Sequence, residues 1–446
     1  RIIRTLHAVG IEAIAVYHHE DRTAPHVSLA KEAVELTAET ATGAYLDIDQ
    51  IIQVAKTFSV QAIHPGYGFL SENSSFAAAV EQHGLTFIGP QPNVIALMGD
   101  KIESRRFAER NGVPVAPSAT VQGADTDFLR QASKIGFPLL VKAAAGGGGK
   151  GMRIVHSEEQ LLADIESARG EALRYFSDER IYLEKYIEKP RHIEIQVLGD
   201  GKGNAIHLFE RECSIQRRFQ KVVEESPAPN LSIRIRDAMC EAAVKLAQET
   251  RYLNAGTVEF IVDSKEKFYF LEMNTRLQVE HPVTELVCGV DLVEAQIEIA
   301  ASKQLPWQQS DIKQAGHAIE CRICCESPEM EFQPATGVIR SLSFPSTPVR
   351  RFDNGVHQGQ IISASFDSMV AKLICFGQNR EEAIAETAAA LNELVILGVE
   401  NNVPFLQKII SHPVFAAGHL HNQFLEEQKD SLQHTPLTES DLVALI

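Results

Sequence analysis

Helical and strand patterns alternate along the chain. Ile2 to Val9 has the apolar spacing of a helix, and Glu12-Ala-Ile-Ala-Val-Tyr17 that of a strand. Ile51 to Phe58 is again helical, followed by the short strands Ala62-Ile63 and Leu85-Thr-Phe-Ile-Gly89. This order is of the βαβ type and predicts a parallel sheet. From about Asn111 to Tyr186, two strand signals flank a glycine run and precede a helix. A strand-rich region follows, and a further mixed α/β region runs from about Ser310 to Phe424. Glu427 to Ile446 is polar, with few large apolar residues before Leu442, and reads as a linker or arm. The pattern as a whole predicts an α/β (α+β) protein of several domains, without internal repeats.

Within the strand-rich region, Thr257-Val-Glu-Phe-Ile-Val262 and Phe268-Tyr-Phe-Leu-Glu272 are joined by the polar Ser264-Lys-Glu-Lys267. That is the pattern of a β-hairpin. With Asp263 opposite Phe268, Glu259 falls opposite Glu272 and Thr257 opposite Asn274. Residues two apart share a face, so Glu259, Glu272 and Asn274 should cluster. Opposed carboxylates weaken a sheet, and a cation between them removes the penalty. Oxygen-only donors suit a hard ion such as Mg2+, which commonly sits on substrate phosphates. The competing expectation is two solvated glutamates on an open face.

Length and charge narrow the class. A chain of 446 residues exceeds one simple core, and about two to four domains are expected. Its formal net charge of -17 argues against non-specific binding to nucleic acid or an anionic membrane. An anionic substrate therefore needs locally clustered Lys and Arg. No apolar run approaches a membrane span. The cysteines are Cys213, Cys240, Cys288, Cys321, Cys324, Cys325 and Cys375, an odd set that suits reduced thiols in a cytosol-like compartment. Cys321-x-x-Cys324 has no second ligand pair at zinc spacing and lies in the strand-like His317 to Ile323, so structural zinc is not expected.

The glycine run is Lys142-Ala-Ala-Ala-Gly146-Gly-Gly-Gly149-Lys150-Gly151. Gly146, Gly148 and Gly151 match G-x-G-x-x-G, but the strand-like Met152-Arg-Ile-Val155 follows where a dinucleotide fingerprint needs a helix. Walker A fails too, since Ala144 replaces its first Gly and Gly151 its Ser/Thr. A strand–glycine loop–strand unit can close over phosphates through backbone N–H groups, with Lys142 as a point charge. The alternative is a surface loop. Further on, Arg211, Arg217, Arg218 and Lys221 crowd into a short stretch beside Glu210, Glu212, Glu224 and Glu225. Such a cluster serves either as an anion site or as a face of mutually paired charges.

Together these residues resemble the biotin carboxylase family of the ATP-grasp superfamily. The resemblance rests on His64-Pro-Gly-Tyr-Gly-Phe-Leu-Ser-Glu-Asn73, Met98-Gly-Asp-Lys101, Lys142 with its glycine loop, and Glu184-Lys-Tyr-Ile187. It also rests on Pro190-Arg-His192-Ile-Glu-Ile-Gln196, Gln216-Arg-Arg-Phe-Gln-Lys221, and Glu272-Met-Asn-Thr-Arg276-Leu-Gln278-Val-Glu280-His-Pro-Val-Thr-Glu285. It covers Arg1 to about Glu427. The resemblance implies an N-terminal parallel-sheet domain over 1–104 and an ATP-grasp domain over 105–301, with a mobile glycine-rich lid at about 115–186. A C-terminal mixed α/β domain over 310–426 and a linker or tail over 427–446 would follow.

The activity implied is MgATP-dependent carboxylation of biotin by bicarbonate through carboxyphosphate, with Mg2+ (or Mn2+) as the metal. By resemblance, Lys101 and Lys142 contact phosphates, and Gly148 and Gly149 belong to the lid. Glu184, Lys185 and Ile187 line the adenine pocket, with His192, Gln216 and Phe219 nearby. Glu259, Glu272 and Asn274 hold metal. Lys221, Arg276, Gln278, Val279 and Glu280 form the bicarbonate site, with Glu280 as base and Arg276 orienting the anion. Arg350 matches the arginine that stabilises the biotin enolate. No Met-Lys-Met occurs, so biotin would arrive on a carrier protein or domain. A carboxyltransferase and a second copy of the chain are the other implied partners, in the cytoplasm or, in a eukaryote, the mitochondrial matrix.

This sequence departs from the family pattern in three places. Phe219 stands where many relatives carry histidine and some asparagine, and Cys324-Cys325 replaces a common Asn-Ala. The family's first strand and its Asn-Arg-Gly-Glu-Ile-Ala-type loop do not precede Arg1, so a fragment is expected. Two other readings compete: a different ATP-grasp ligase, and a non-catalytic nucleotide-binding scaffold of a carboxylase complex.

Overall fold

The computed structural model describes residues 1–120, 125–144, 152–176, 178–344 and 346–432. Gly148 and Gly149 lie outside the described residues, as does 433–446.

The N-terminal region forms two parallel pairs, Ile14–Tyr17 with Glu32–Glu35 and Ala62–Ile63 with Thr86–Phe87. The expected single parallel sheet is thus two separate ladders among the described residues. Asp47 and Asn73 cap the helices Ile48–Thr57 and Ser74–Gln82 by accepting from backbone N–H groups in their first turns.

The next layer is a small antiparallel sheet in the order Ser118–Thr120, Ile181–Lys185, Leu139–Ala143, Arg153–Val155. Its apolar face is buried under Asp125–Ile135 and Glu158–Phe176, with Leu139, Val141, Val155, Leu161, Ile165 and Leu183 at the centre. The two strands expected around the glycine run are present, and they pair antiparallel with Leu139 opposite Val155.

An eight-stranded antiparallel sheet organises the rest. Its order is Phe268–Asn274, Leu253–Val262, Arg191–Asp200, Ala205–Arg217, Gln220–Ser226, His317–Cys324, Met369–Gly377, Arg350–Asn354. It runs unbroken from the strand-rich region into the C-terminal one, because Gln220–Ser226 pairs with His317–Cys324. Two helices, Ile233–Glu249 and Arg380–Glu393, cover apolar parts of this sheet. Cys321 and Cys375 pack in that core, and all seven cysteines are free thiols. Cys321 and Cys324 join no metal-ligating group among the described residues.

Two expectations need correction. In the hairpin, Val262, not Asp263, lies opposite Phe268. Asp263 instead closes the turn, its Oδ1 accepting from the N–H groups of Lys265 and Lys267 at 2.8 and 2.9 Å. A register shift between Glu259 and Phe260 then leaves Leu271 as the extra residue and restores Glu259 opposite Glu272 and Thr257 opposite Asn274. At the other end, the first residues past Glu427 are no free linker. Lys429–Leu432 makes a short helix, and Leu432 is buried in the C-terminal core. No helix among the described residues is long and apolar enough to cross a membrane.

Candidate active site

A cavity of about 1280 Å3 lies between the small sheet and the large one. All the described site residues expected from sequence line it except Arg350. Period-two geometry explains the convergence: His192, Glu194 and Gln196 share one face of their strand, as do Glu272 and Asn274 of theirs.

At one end sit Lys101, Lys142 and Glu184. Asp100 caps the helix Lys101–Arg110 and so fixes where Lys101 begins. The Lys101 ammonium is 3.4 Å from Glu272. Lys142 Nζ donates to Glu184 Oε1 at 2.9 Å, and Arg105 Nη1 donates to Glu184 Oε2 at 2.5 Å. Burial raises the Glu184 carboxyl, but Lys142 and Arg105 outweigh it and hold it below the usual range. Lys185 lines the cavity with its stem only, since its ammonium donates to the carbonyls of Gly136 and Phe137 at 3.0 and 2.8 Å.

The other end is a buried ionic cluster. Lys221 Nζ donates to Glu194 Oε2 at 2.5 Å, Glu259 Oε1 at 2.8 Å and Glu280 Oε1 at 2.5 Å. Arg322 Nη2 donates to Glu280 Oε2 at 2.9 Å. Burial pushes the Glu280 carboxyl up, but Lys221, Arg322 and Arg211 together hold it below the ordinary range. The same balance, set by Lys221 and His192, keeps Glu259 well below it. Gln278 Nε2 donates to Glu259 Oε1 at 3.0 Å. Arg276 donates to Glu72 Oε2 at 2.8 Å, Gln278 Oε1 at 2.6 Å and Asn274 Oδ1 at 3.2 Å. His192 Nε2 lies 3.1 Å from Glu259, and its Nδ1 is bonded to Gln216 Nε2 at 2.9 Å.

Sequence reasoning assigned no role to Glu72, Glu194 or Arg322, and took Arg211 only as one of a cluster of cations. Glu194 lies directly across from Glu259 on the neighbouring strand. Arg211, fully buried, donates to Glu194 Oε1 at 2.5 Å and to Gln196, Thr257 and Thr284. The signal was present as alternation: His192-Ile-Glu194-Ile-Gln196 puts polar side chains on one face of a strand. The cation cluster divides between the two readings open for it. Arg211 is buried against Glu194, and Lys221 against Glu194, Glu259 and Glu280, whereas Arg218 makes an exposed pair with Glu331 at 3.1 Å.

Arg350 is not brought to this site. Its guanidinium pairs with Glu386 at 2.7 Å and Glu393 at 2.8 Å on the covering helix Arg380–Glu393. Strand alternation turns the next residue, Arg351, to the opposite face. There it donates to Glu285 Oε2 at 2.6 Å, on the helix His281–Cys288 that begins just after Glu280.

Comparison with known proteins gives consistent matches along the chain. Residues 1–95 match the "Biotin carboxylase, N-terminal domain" profile and 320–427 the "Biotin carboxylase C-terminal domain" profile. Residues 100–308 match "Carbamoyl-phosphate synthase L chain, ATP binding domain". The chain is 46% identical to mouse mitochondrial methylcrotonoyl-CoA carboxylase subunit alpha over 97% of its own length and 60% of that protein's. It thus spans about 60% of the length of that relative. It is 45% identical to biotin carboxylase 1 of Bacillus subtilis, covering 96% of this chain and 95% of that one. Among solved structures, the biotin carboxylase domain dimer of Hydrogenobacter thermophilus 2-oxoglutarate carboxylase, in complex with MgADP, ADP and bicarbonate, superposes with a TM-score of 0.95. It is 43% identical, and the match covers 98% of this chain and 96% of that one.

Proposed function

The chain belongs to the biotin carboxylase family, and from that membership we propose that it carboxylates biotin with bicarbonate at the expense of MgATP. The observation that carries this reading is the division of one cavity into a lysine-bearing end and a buried Lys221–Glu194–Glu259–Glu280 end beside Arg276. A polyphosphate and a small anion are the ligands such a pair of ends fits.

Lys101 and Lys142 bind the nucleotide phosphates. Lys142 can turn to a phosphate because Glu184 keeps Arg105 as its partner. Ile187, His192, Gln216 and Phe219 give the nucleotide its walls. Glu259, Glu272 and Asn274 offer an oxygen-only donor set, and among the described residues the Glu272 side chain is paired only with Lys101 at 3.4 Å, with 30% of it exposed. This set fits a hard divalent ion. When bound, Mg2+ or Mn2+ neutralises charge that develops on the phosphates.

Bicarbonate is held by Arg276 and Lys221 against Gln278 and Val279. Its arrival draws Lys221 toward the anion and off Glu280, which restores basicity to that carboxylate. Glu280 then accepts the bicarbonate proton, and the anion attacks the terminal phosphorus of ATP while ADP leaves. Carboxyphosphate breaks down to CO2 and phosphate, the released phosphate takes the N1 proton of biotin, and the enolate so formed attacks CO2 through N1. We assign the arginine that faces the biotin enolate to Arg351 instead of Arg350, because Arg351 reaches Glu285 on the helix that follows Glu280, whereas Arg350 is on the opposite face against Glu386 and Glu393. The remaining partners in this reading are a biotin carrier protein or domain, a carboxyltransferase and a second copy of the chain.

The test is ADP release from MgATP, with and without bicarbonate and with and without free biotin. The expected result is release that needs bicarbonate and rises with biotin. Release indifferent to biotin would point to another ATP-grasp ligase. Tight MgATP binding without turnover, in a folded chain, would leave only a scaffold.

A further inference from the structure

Behind the proposed bicarbonate site lies a carboxylate pair that the chemistry above does not use. Glu224 and Glu320 are directly opposed on the neighbouring strands Gln220–Ser226 and His317–Cys324. Both are fully buried. Glu224 Oε1 accepts from Arg322 Nε at 2.5 Å. Glu224 Oε2 and both oxygens of Glu320 have no hydrogen-bond partner. The nearest cation to Glu320 is the Lys372 ammonium, at 3.9 Å. Two buried, opposed carboxylates of which one is this poorly solvated cannot both stay ionised.

The nearby cations do not remove the conflict: Arg322 is shared by Glu224 and Glu280, and Lys372 lies 3.9 Å from both Glu320 and Asp353. The groups facing Glu320 are Glu224 across the strand pair, Arg322 on its own strand and Lys372 on Met369–Gly377. The Glu280 carboxylate also acts on it, from the start of the helix that carries His281, where burial keeps the His281 imidazole neutral. The other neighbours on that face, Val283, Ala318 and Ile374, are apolar.

We propose that Glu320 is a neutral carboxylic acid at physiological pH and that its neutrality positions Glu280. Besides Lys221, two groups hold the Glu280 segment: Arg322 on the carboxylate at 2.9 Å, and Lys372 on the Val279 carbonyl at 2.5 Å. An ionised Glu320 would compete for both. A hydroxyl on Glu320 instead offers Glu224 Oε2 the donor that it lacks, within reach of directly opposite side chains. Burial and the Glu224 charge favour the protonated form, with Lys372 opposing them. Glu320 is therefore a positioning residue, and its ionisation loosens the bicarbonate site on the alkaline side. That last step rests on the proposed bicarbonate chemistry, whereas the protonation state does not.

The experiment compares wild type with Glu320→Gln in two readouts. Infrared difference spectra at neutral pH should show a protonated-carboxyl carbonyl stretch in the wild type that is lost in the variant. The KM for bicarbonate should rise about tenfold per pH unit above the Glu320 titration in the wild type, with kcat less affected. That rise should be absent from Glu320→Gln, with carbonate formation common to both. Persistence of the band in Glu320→Gln, or its absence from the wild type, overturns the proposal. A band lost with an unchanged KM profile overturns the positioning role. Should Glu320→Gln not fold, Glu224→Gln serves: a proton on Glu320 bonded to Glu224 shifts the band there, and an unshifted band counts against the pair. If no chain turns over, the enzymatic reading fails while the infrared band still decides the protonation.

Discussion

The two ends of the cavity handle charge in opposite ways. At the nucleotide end the Lys142 and Arg105 cations share the single carboxylate Glu184. Charge there is in cationic excess, as a polyphosphate needs. At the other end one ammonium, Lys221, is shared by three carboxylates and shielded from water. That region is arranged around a base, and its cations restrain the base until an anion takes them. At the first end one carboxylate answers two cations, whereas at the second one ammonium answers three carboxylates.

The largest effect that separates the two ends is kinetic. Glu280→Gln removes the base and should lower kcat by about 10²–10⁴-fold, while the Kd for MgATP measured by calorimetry stays close to wild type. A matching loss of MgATP affinity would place Glu280 at the nucleotide end instead. Next comes stability. Lys221→Met removes the cation common to three buried carboxylates, leaving Glu194 to Arg211, Glu280 to Arg322 and Glu259 to His192, and should cost about 3–5 kcal/mol in denaturant unfolding. Lys142→Met leaves Arg105 on Glu184, so it should cost clearly less in stability and act mainly by weakening MgATP about tenfold.

The arginine assignment gives the next contrast. Arg351→Ala should lower biotin-stimulated ADP release by about a hundredfold and leave MgATP binding intact. Arg350→Ala breaks its pairs with Glu386 and Glu393 and should leave that rate within about threefold. Equal losses in both would remove the basis for preferring Arg351. Acid should weaken the buried side through Asp353. Burial raises this carboxyl, but Arg351 and Lys372 outweigh it and hold it at about 2 against an ordinary 3.8. A depressed carboxylate contributes stability that is present above its unfolded value and is lost as pH falls through the folded one. For Asp353 the window is therefore about pH 4 to pH 2, worth about 2 kcal/mol. Asp353→Asn should flatten the urea midpoint across that window, and an unchanged slope would assign acid loss to other groups.

Different parts of this design were legible to different degrees. Glu259, Glu272 and Asn274 could be placed together because the strand period and the turn constrain each other, although the register was reached through a bulge at Leu271 that no local pattern announces. Lys221 and Glu280 came from motif resemblance, and their partners did not. Arg322 belongs to a strand contributed by the C-terminal region, and only the pairing of Gln220–Ser226 with His317–Cys324 brings it to Glu280. Such long-range register is invisible in local periodicity. Arg350 and Arg351 show the converse: adjacent arginines are equivalent in composition, and a one-residue step on a strand sends them to opposite faces.

Phe219 gives the smallest effect. Arg217 pairs with Gln220, so Arg218 and Phe219 form a two-residue hairpin loop, with φ of +48° and +67°. Both central residues of such a turn are left-handed, a conformation that suits Asn or Gly and costs a residue with a branched or bulky Cβ substituent about 1 kcal/mol. Phe219 is 51% exposed, so little burial offsets that strain. The ring nevertheless lines the nucleotide end of the cavity. Phe219→Asn should therefore stabilise the chain by about 0.5–1 kcal/mol while changing the KM for ATP more than that for bicarbonate. A gain in stability without a change in either KM would make the side chain a neutral passenger of the turn. A loss of stability would mean that the exposed ring contributes packing beyond its own hairpin. A KM shift confined to ATP would show that the two ends of the cavity can be tuned separately, as their opposite charge arrangements require.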